Sequence, residues 1–189
     1  MKMHELMSST NAFAARLEDV LDRLGMLDVC KEFEMDHICV RLNSDHDVTA
    51  LSLELGEIAQ KISAVNVNGR VIQIFQLHEP LQVGMWQTRG LELPFPKYGR
   101  FYSEGWEHVE FVVPGLINTM KDLKSFFAAS FPHLLDSKHV ESYQLKLDEP
   151  QAEGDQDPNP TLAVTSSGAG IKFHALPIQQ VVGYQKPAH

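Results

Sequence analysis

The sequence is poor in cysteine. Cys30 and Cys39 are its only cysteines among 189 residues, and they are not spaced as a Cys-x-x-Cys pair. A cysteine-rich zinc knuckle is therefore excluded, and two reduced thiols in a cytosolic protein are the simplest interpretation.

Long apolar runs and an excess of positive charge are also lacking. No apolar run approaches the ~20 residues that span a bilayer, and polar residues interrupt residues 1–15 where a signal peptide would have its apolar core. The net charge is -9, and no basic stripe is available to neutralise phosphates. We therefore expect a cytoplasmic protein that acts on a small molecule, without nucleic acid or membrane, as a monomer or homodimer.

Several common catalytic motifs are missing as well. The sequence has no phosphate-binding glycine loop, no nucleophile elbow and no His-Glu-x-x-His motif. Its 43% hydrophobic and 22% charged residues are ordinary for a soluble globular chain. What stands out is nine histidines, so their places along the predicted strands matter.

The first half of the chain predicts the order helix, strand, helix and three strands. Apolar residues recur at intervals of three and four in residues 9–27 and 47–61, which is typical of amphipathic helices, and Gly25 suits the C-terminal end of the first helix. Asn68-Gly69 lies between two alternating apolar runs and predicts a tight hairpin turn. The predicted strands are residues 35–42, 62–67, 71–77 and 89–95.

The second half predicts a strand, a helix and three more strands. A strand at 106–113 is followed by a helix at 116–131 and a strand at 139–147. Residues 148–160 are polar and proline-rich, which predicts a loop. A hairpin is predicted from 161–165 and 170–176 across Ser167-Gly168, with a frayed tail from residue 185.

The two halves therefore repeat one pattern. Residues 35–96 and 106–176 each predict a βαβββ module that opens with an acidic residue, a histidine and an apolar residue: Asp36-His37-Ile38, then Glu107-His108-Val109. One module cannot cover its own apolar face, but two joined edge to edge form a curved mixed sheet around a cavity, with helices outside. The predicted fold class is α+β, with residues 1–30 as a helical extension and 31–185 as a single domain.

A candidate metal site emerges from the first and last strands of each module. Strand alternation puts apolar residues on one face and polar residues on the other. The polar face carries His37, Glu92, His108 and His174. Three imidazoles and a carboxylate, completed by water, suit a divalent Zn, Fe, Ni, Co or Mn ion better than Ca.

Further charged residues share this face: Arg41, Glu110 and Lys172. Because burying unpaired charges is costly, they favour a wet cavity, an ion or an anionic ligand. Glu110 is a candidate ligand, a partner of a ligand or a base. The alternatives are plain ion pairs of Glu110 with Lys172 and of Glu92 with Arg41, and histidines that are hydrogen-bonded core residues.

Several segments carry a resemblance to known proteins. LHEPLQVGMWQ, LELPFP, EGWEHVEFVVPG, NPTLAV and IKFH resemble the bacterial YecM family over nearly all of the chain except its N-terminal helix. The repeated modules that open at DHI and EHVEF resemble the vicinal oxygen chelate superfamily, which includes glyoxalase I, extradiol dioxygenases and antibiotic-resistance proteins. The resemblance implies the fold, and metal ligands at His37, Glu92, His108 and His174, but no substrate.

One departure bears on the chemistry that the resemblance implies. Enzymes like glyoxalase I usually end the second module with a glutamate that often serves as the base, and this chain has His174 there. Glyoxalase activity is therefore not expected, and extradiol dioxygenases differ in drawing two histidines and a carboxylate from one module.

We therefore predict a divalent-metal-dependent enzyme acting on a small oxygen-rich substrate. Isomerase or lyase chemistry is favoured over oxidoreductase chemistry because it needs only a metal and a base. Glu110 is the predicted base, and Arg41 and Lys172 are predicted to bind the anionic end of the substrate. The alternatives are a non-catalytic metal- or small-molecule-binding protein, and a scaffold whose cavity residues form a salt-bridge network.

Overall fold

The computed structural model of the protein describes residues 2–134, 143–148, 159–166 and 169–184. Within these ranges the chain forms six α-helices, one short 3₁₀ helix and eight β-strands. None of the described helices is both long and apolar enough to cross a bilayer.

Three helices precede the sheet: α1 (Met3–Ser8), α2 (Thr10–Arg23) and α3 (Leu27–Cys30). The predicted helix at 9–27 corresponds to α2, which already ends at Arg23. Gly25, with a φ of 63°, adopts the left-handed conformation that ends α2, as its position in the sequence predicted.

Two βαβββ modules follow, as predicted. The first consists of β1 (Glu34–Arg41), α4 (Asp45–Leu55), β2 (Ala59–Val67), β3 (Arg70–Val83) and β4 (Trp86–Pro94). The second consists of β5 (Gly105–Val112), α5 (Met120–Ser130), β6 (Tyr143–Asp148), β7 (Thr161–Ser166) and β8 (Ala169–His174). The 3₁₀ helix Pro132–Leu134 follows α5, and α6 (Ile178–Val181) follows β8.

All eight strands form one mixed sheet in the order β2-β3-β4-β1-β5-β8-β7-β6. β1 is parallel to β4, β5 is parallel to β8, and β1 pairs antiparallel with β5 at the centre. The strand order of the second module therefore mirrors that of the first, and the predicted α+β curved-sheet fold is confirmed.

Both long helices of the modules have different ends from those predicted. The helix predicted at 47–61 begins at Asp45, because the Ser44 hydroxyl accepts a hydrogen bond from the Asp47 amide. Its predicted C-terminal end is wrong, since Ala59 already pairs with Leu77 in the sheet. The helix predicted at 116–131 begins only at Met120, where Thr119 and Asp122 form a capping box.

The predicted hairpin at Asn68-Gly69 is confirmed. The two residues have φ values of 52° and 82°, as a type I′ turn requires. In the second module β7 pairs antiparallel with β8. Four predicted segments lie outside the described residues: the turn residues 167–168, residues 139–142 of the predicted strand, residues 149–158 of the predicted loop and the tail from 185.

The apolar face of the sheet packs against the helices in one core. On the four central strands this face contributes Ile38, Val40, Leu91, Leu93, Val109, Phe111, Ile171 and Phe173, all buried. Phe13, Leu17 and Leu21 of α2 and Phe127 of α5 belong to the same cluster. The polar residues lie on the opposite face, where α6 also contributes Ile178 and Val181.

Candidate functional site

The predicted site residues meet on the polar face of the four central strands. Their side chains adjoin a cavity of about 310 Å³, which His37, Arg41, Glu92, Glu110 and Lys172 line directly. His108 and His174 are buried beside it. The structure thus brings all seven predicted residues into one region.

Two β-bulges shape this region. In the pairing of β1 with β5, Asp36 is an extra residue between Met35 and His37, and Glu107 is an extra residue between Trp106 and His108. A bulge breaks strand alternation and redirects a side chain. Each acidic residue therefore reaches the imidazole of the histidine that follows it, instead of pointing to the opposite face.

Each histidine is fixed through its Nδ1 atom. Nδ1 lies 2.6 Å from an Asp36 carboxylate oxygen in His37 and 2.7 Å from a Glu107 carboxylate oxygen in His108. In His174 it lies 2.6 Å from the carbonyl oxygen of Leu176. Because these partners are acceptors, Nδ1 carries a proton and donates it, which leaves Nε2 of each ring for a second partner.

The three Nε2 atoms all lie within 4 Å of the Glu110 carboxylate, although His174 Nε2 is nearer to Asp36, at 3.5 Å. Nε2 lies 3.2 Å from Glu110 in His37, 3.1 Å in His108 and 3.8 Å in His174. Glu92 is more peripheral, at 3.6 Å from His37 Nε2. The Nε2 atoms of His37 and His174 are buried without a hydrogen bond, which is unusual for polar atoms.

The donor atoms form three overlapping groups within the described residues. The groups are Asp36, His37 and His174; Cys39, Glu92 and His108; and His37, Glu92 and Glu110, with donor atoms within 4.8 Å of one another in each. None of them contains all four ligands predicted from the sequence. Glu110, predicted as a base, lies closer to the imidazoles than Glu92 does.

Strong electrostatic coupling accompanies this geometry. Although burial opposes ionisation, the positive charges of Lys172 and His37 hold the pKa of Glu110 well below its ordinary value. Burial likewise opposes a charge on His37, but Glu110 and Asp36 raise the pKa of its imidazole well above the ordinary value. The carboxylates therefore demand nearby positive charge, which a proton or a metal ion can supply.

One of the two alternative ion pairs is present. Lys172 Nζ donates to Glu110 Oε1 at 2.5 Å. Arg41, however, donates through Nε to Glu107 at 2.6 Å, and no ion pair with Glu92 is found among the described residues. Glu92 instead accepts a hydrogen bond from the Cys39 thiol at 3.3 Å, and burial raises the pKa of that thiol well above its ordinary value, so Cys39 is neutral.

Strand register changes one correspondence between the modules. His37 lies opposite Gly90 and Cys39 opposite Glu92, whereas His108 lies opposite Gly170 and Glu110 opposite Lys172. Lys172, and not His174, is therefore the counterpart of Glu92. The sequence carried this signal in Gly90-Leu91-Glu92-Leu93 and Gly170-Ile171-Lys172-Phe173, where a charged residue follows a glycine by two positions.

No role was predicted for Asp36 and Glu107, although both belong to the repeated acidic-histidine pair. The sequence contains a signal for this pairing, because one acidic residue precedes a strand histidine in each module. Strict alternation, however, placed the acidic side chain on the opposite face of the sheet.

Comparisons with known proteins agree with one another. A family model described as YecM protein matches residues 2–185. Protein YecM of Escherichia coli (strain K12) is 32% identical over 188 residues, which cover 99% of this chain and 96% of the relative. An uncharacterized protein of Haemophilus influenzae is 29% identical over 163 residues, covering 82% of this chain and 81% of the relative. A solved structure described as "Structural Genomics, Protein EC4020" superposes with a TM-score of 0.76 at 30% identity, covering 96% of this chain and 91% of the other.

Proposed function

The chain belongs to the YecM family, and we propose that it is a divalent-metal-dependent enzyme of the vicinal oxygen chelate type, acting on a small oxygen-rich substrate. One observation carries the proposal. Three buried imidazoles, each held by an acceptor at Nδ1, direct Nε2 to the same carboxylate. Metal-ligating histidines are typically held in this way.

The charges of the cluster support a divalent ion. Asp36, Glu92, Glu107 and Glu110 place four carboxylates around two permanent cations, Arg41 and Lys172. Buried charge without compensation is strongly unfavourable. A divalent cation balances the excess while the imidazoles stay neutral. Nitrogen and oxygen donors together suit Zn, Fe, Ni, Co or Mn.

Ligand roles follow from distance. We assign His37, His108, His174 and Glu110 as the residues that would hold the ion, because Glu110 contacts all three imidazoles and Glu92 only one. Glu92 then becomes the proton acceptor, the reverse of the roles predicted from sequence. When bound, a divalent ion would polarise neighbouring oxygens of the substrate and make an adjacent proton more acidic.

The remaining residues bind and orient the substrate. Lys172 stays protonated, since Glu110 and Glu92 raise its pKa against the effect of burial. Arg41 Nη1 is buried without a hydrogen bond, so it is available to an anionic group. Isomerase or lyase chemistry, which needs a metal and a proton acceptor, fits this set of residues.

Metal content is the direct test. Protein purified without chelator should contain one divalent ion per chain by elemental analysis, and His108→Ala should lower metal affinity by at least about tenfold. The matched control is His78→Ala, because His78 is exposed. Equal metal retention in both variants would contradict the proposal.

Turnover distinguishes an enzyme from the alternative, a non-catalytic binder. The metal-loaded protein is incubated with a panel of α-hydroxycarbonyl compounds, and products are followed by NMR. Binding with no product in any case supports the binder.

A further inference from the structure

The outer part of the cavity is unexpectedly basic for a chain with a net charge of -9. Five cationic side chains but only three carboxylates line the cavity. The cations are Arg41, Arg70, Lys97, Lys146 and Lys172, and the carboxylates are Glu92, Glu110 and Asp148. A cleft that concentrates one sign of charge raises the local concentration of ligands of the other sign.

Three of these cations are paired with carboxylates. Lys172 donates to Glu110, Lys146 to Asp148 and Arg41 to Glu107. Arg70 and Lys97 make no ion pair with any described residue. They are left as the positive charges that a ligand can neutralise.

Arg70 shows a second sign of an absent partner. It follows the Asn68-Gly69 turn at the start of β3, and its Nε and Nη1 atoms are buried without a hydrogen bond. Buried guanidinium donors without an acceptor are costly. An anionic acceptor at either donor would lower that cost, and guanidinium groups form strong hydrogen bonds with carboxylate and phosphate oxygens.

Lys97 lies in the field of the same cations. Desolvation and the positive charges of Arg70 and Arg100 hold its pKa below the ordinary value. Repulsion of this kind is relieved when an anion lies between the two side chains.

The cavity is therefore divided along its length. His37, Glu92 and Glu110 are at its buried end, whereas Lys97 and Arg70 are partly exposed. The wall between them is apolar, with Val65, Ile72 and Ile74. A volume near 310 Å³ is at the lower end for ligand sites, so the ligand is small.

We propose that the cavity binds a small organic dianion whose outer oxyanion group, a carboxylate or a phosphate, is held by Arg70 and Lys97 while its oxygen-rich inner end reaches the His37–Glu110 cluster. The inner contact rests on the proposed metal-dependent function. The outer subsite does not, because neither Arg70 nor Lys97 belongs to the cluster.

Three hydroxy acids test the proposal by titration calorimetry: lactate with one anionic group, malate with two carboxylates, and 3-phosphoglycerate with a carboxylate and a phosphate. Malate or 3-phosphoglycerate, or both, should bind about tenfold or more tightly than lactate, the gain expected from one charge-assisted contact. Whether malate or 3-phosphoglycerate binds more tightly shows whether the outer subsite prefers a carboxylate or a phosphate.

In the double variant Arg70→Gln/Lys97→Gln the affinity for malate or 3-phosphoglycerate should fall to within about twofold of the affinity for lactate. Lactate binding itself should be unchanged, because only the outer contact is lost. Lys121→Gln/Lys124→Gln, at two exposed lysines of α5, is the control matched in net charge and should keep the preference. Equal binding of all three acids by the wild type, binding of none, or a preference that survives in the double variant overturns the proposal.

Inorganic phosphate separates this subsite from the metal cluster. After treatment with a chelating resin, the wild type and His108→Ala should bind phosphate equally, and the double variant should not. Loss of phosphate binding in His108→Ala with retention in the double variant would also overturn the outer subsite. A protein that binds phosphate in this way but takes up no metal would contradict the proposed function alone.

Discussion

Glu110 is the central carboxylate of the cluster. It contacts three imidazoles and Lys172, whereas Glu92 contacts one imidazole and the Cys39 thiol. The pKa does not separate the two residues, because nearby positive charges hold the pKa of both carboxylates below the ordinary value. This is why distance, and not strand alternation, separates the roles of two residues that share a face.

Paired substitutions test these roles. Glu110→Gln should lower metal affinity at least about tenfold, because it replaces the carboxylate on which the imidazoles converge. Glu92→Gln should lower it less while reducing any turnover. Metal titration of both variants by calorimetry gives the order directly. The opposite order would restore Glu92 as the ligand and Glu110 as the base.

Glu107 makes a pH-dependent contribution to stability. Although burial opposes ionisation, His108 and Arg41 lower its pKa to about 2. The stabilisation from an ionised Glu107 is fully present above the unfolded pKa of ~4.5 and is lost as the pH falls towards ~2. Glu107→Gln should therefore lower the free energy of unfolding by about 1–3 kcal/mol at pH 7.

Urea unfolding at a series of pH values measures this difference. The difference in the free energy of unfolding between wild type and Glu107→Gln should be constant from neutral pH to about pH 5 and should narrow below it. Glu57→Gln, a change at an exposed glutamate, should leave stability nearly unchanged. A gap that stays constant down to pH 3 would rule out ionisation of Glu107 as its source.

At the scale of strands, two glycines make room for two histidines. A Cβ atom on Gly90 would lie 2.6 Å from His37 Cβ and 2.5 Å from the Asp36 carbonyl oxygen, and one on Gly170 would lie 2.9 Å from His108 Cβ. Neither glycine has a positive φ, so close approach, and not backbone conformation, explains both. Each module thus pairs a bulged acidic residue with a glycine on the neighbouring strand.

Gly90→Ala should therefore lower the free energy of unfolding by about 1–3 kcal/mol, the usual effect of overpacking. Because the clash displaces His37, metal affinity should fall as well. Gly69→Ala is the contrasting variant: its Cβ meets nothing within 4 Å, but its φ is 82°, so it should lose stability and keep metal affinity. Denaturant unfolding and metal titration separate the two effects, and unchanged metal affinity in Gly90→Ala would contradict the account.

The sequence predicted elements well where local chemistry decides them. The turn at Asn68-Gly69 and the end of α2 at Gly25 were predicted correctly, because each depends on only a few neighbouring residues. The end of α4 was wrong because Ala59 is drawn into β2 by pairing with Leu77, a distant partner that helical periodicity does not register. Asp36 and Glu107 were missed for a similar reason, since a bulge depends on the register of two strands.

At the scale of the whole molecule, the repeat in the sequence becomes a near-symmetric sheet. Helices from the N-terminal segment and from both modules share one hydrophobic core, so the apolar face is covered throughout. The division of the chain at residue 30 stays a prediction. The symmetry is broken on the polar face, where Cys39 pairs with Glu92 in the first module and Glu110 pairs with Lys172 at the corresponding positions of the second.

Because the proposed ligands come from β1, β5 and β8, metal binding should stabilise the whole fold. At a free metal concentration about 100 times Kd, binding to the native state alone adds about 2.7 kcal/mol to the free energy of unfolding. For a chain of this size the midpoint of thermal unfolding should rise by roughly 5–10 °C. The rise should shrink near pH 5, where protons compete for the imidazoles. Differential scanning calorimetry with and without metal measures it. His46→Ala, at an exposed histidine, should keep the full rise and His108→Ala should lose most of it, whereas an equal rise in the two variants would mean that the ion binds elsewhere.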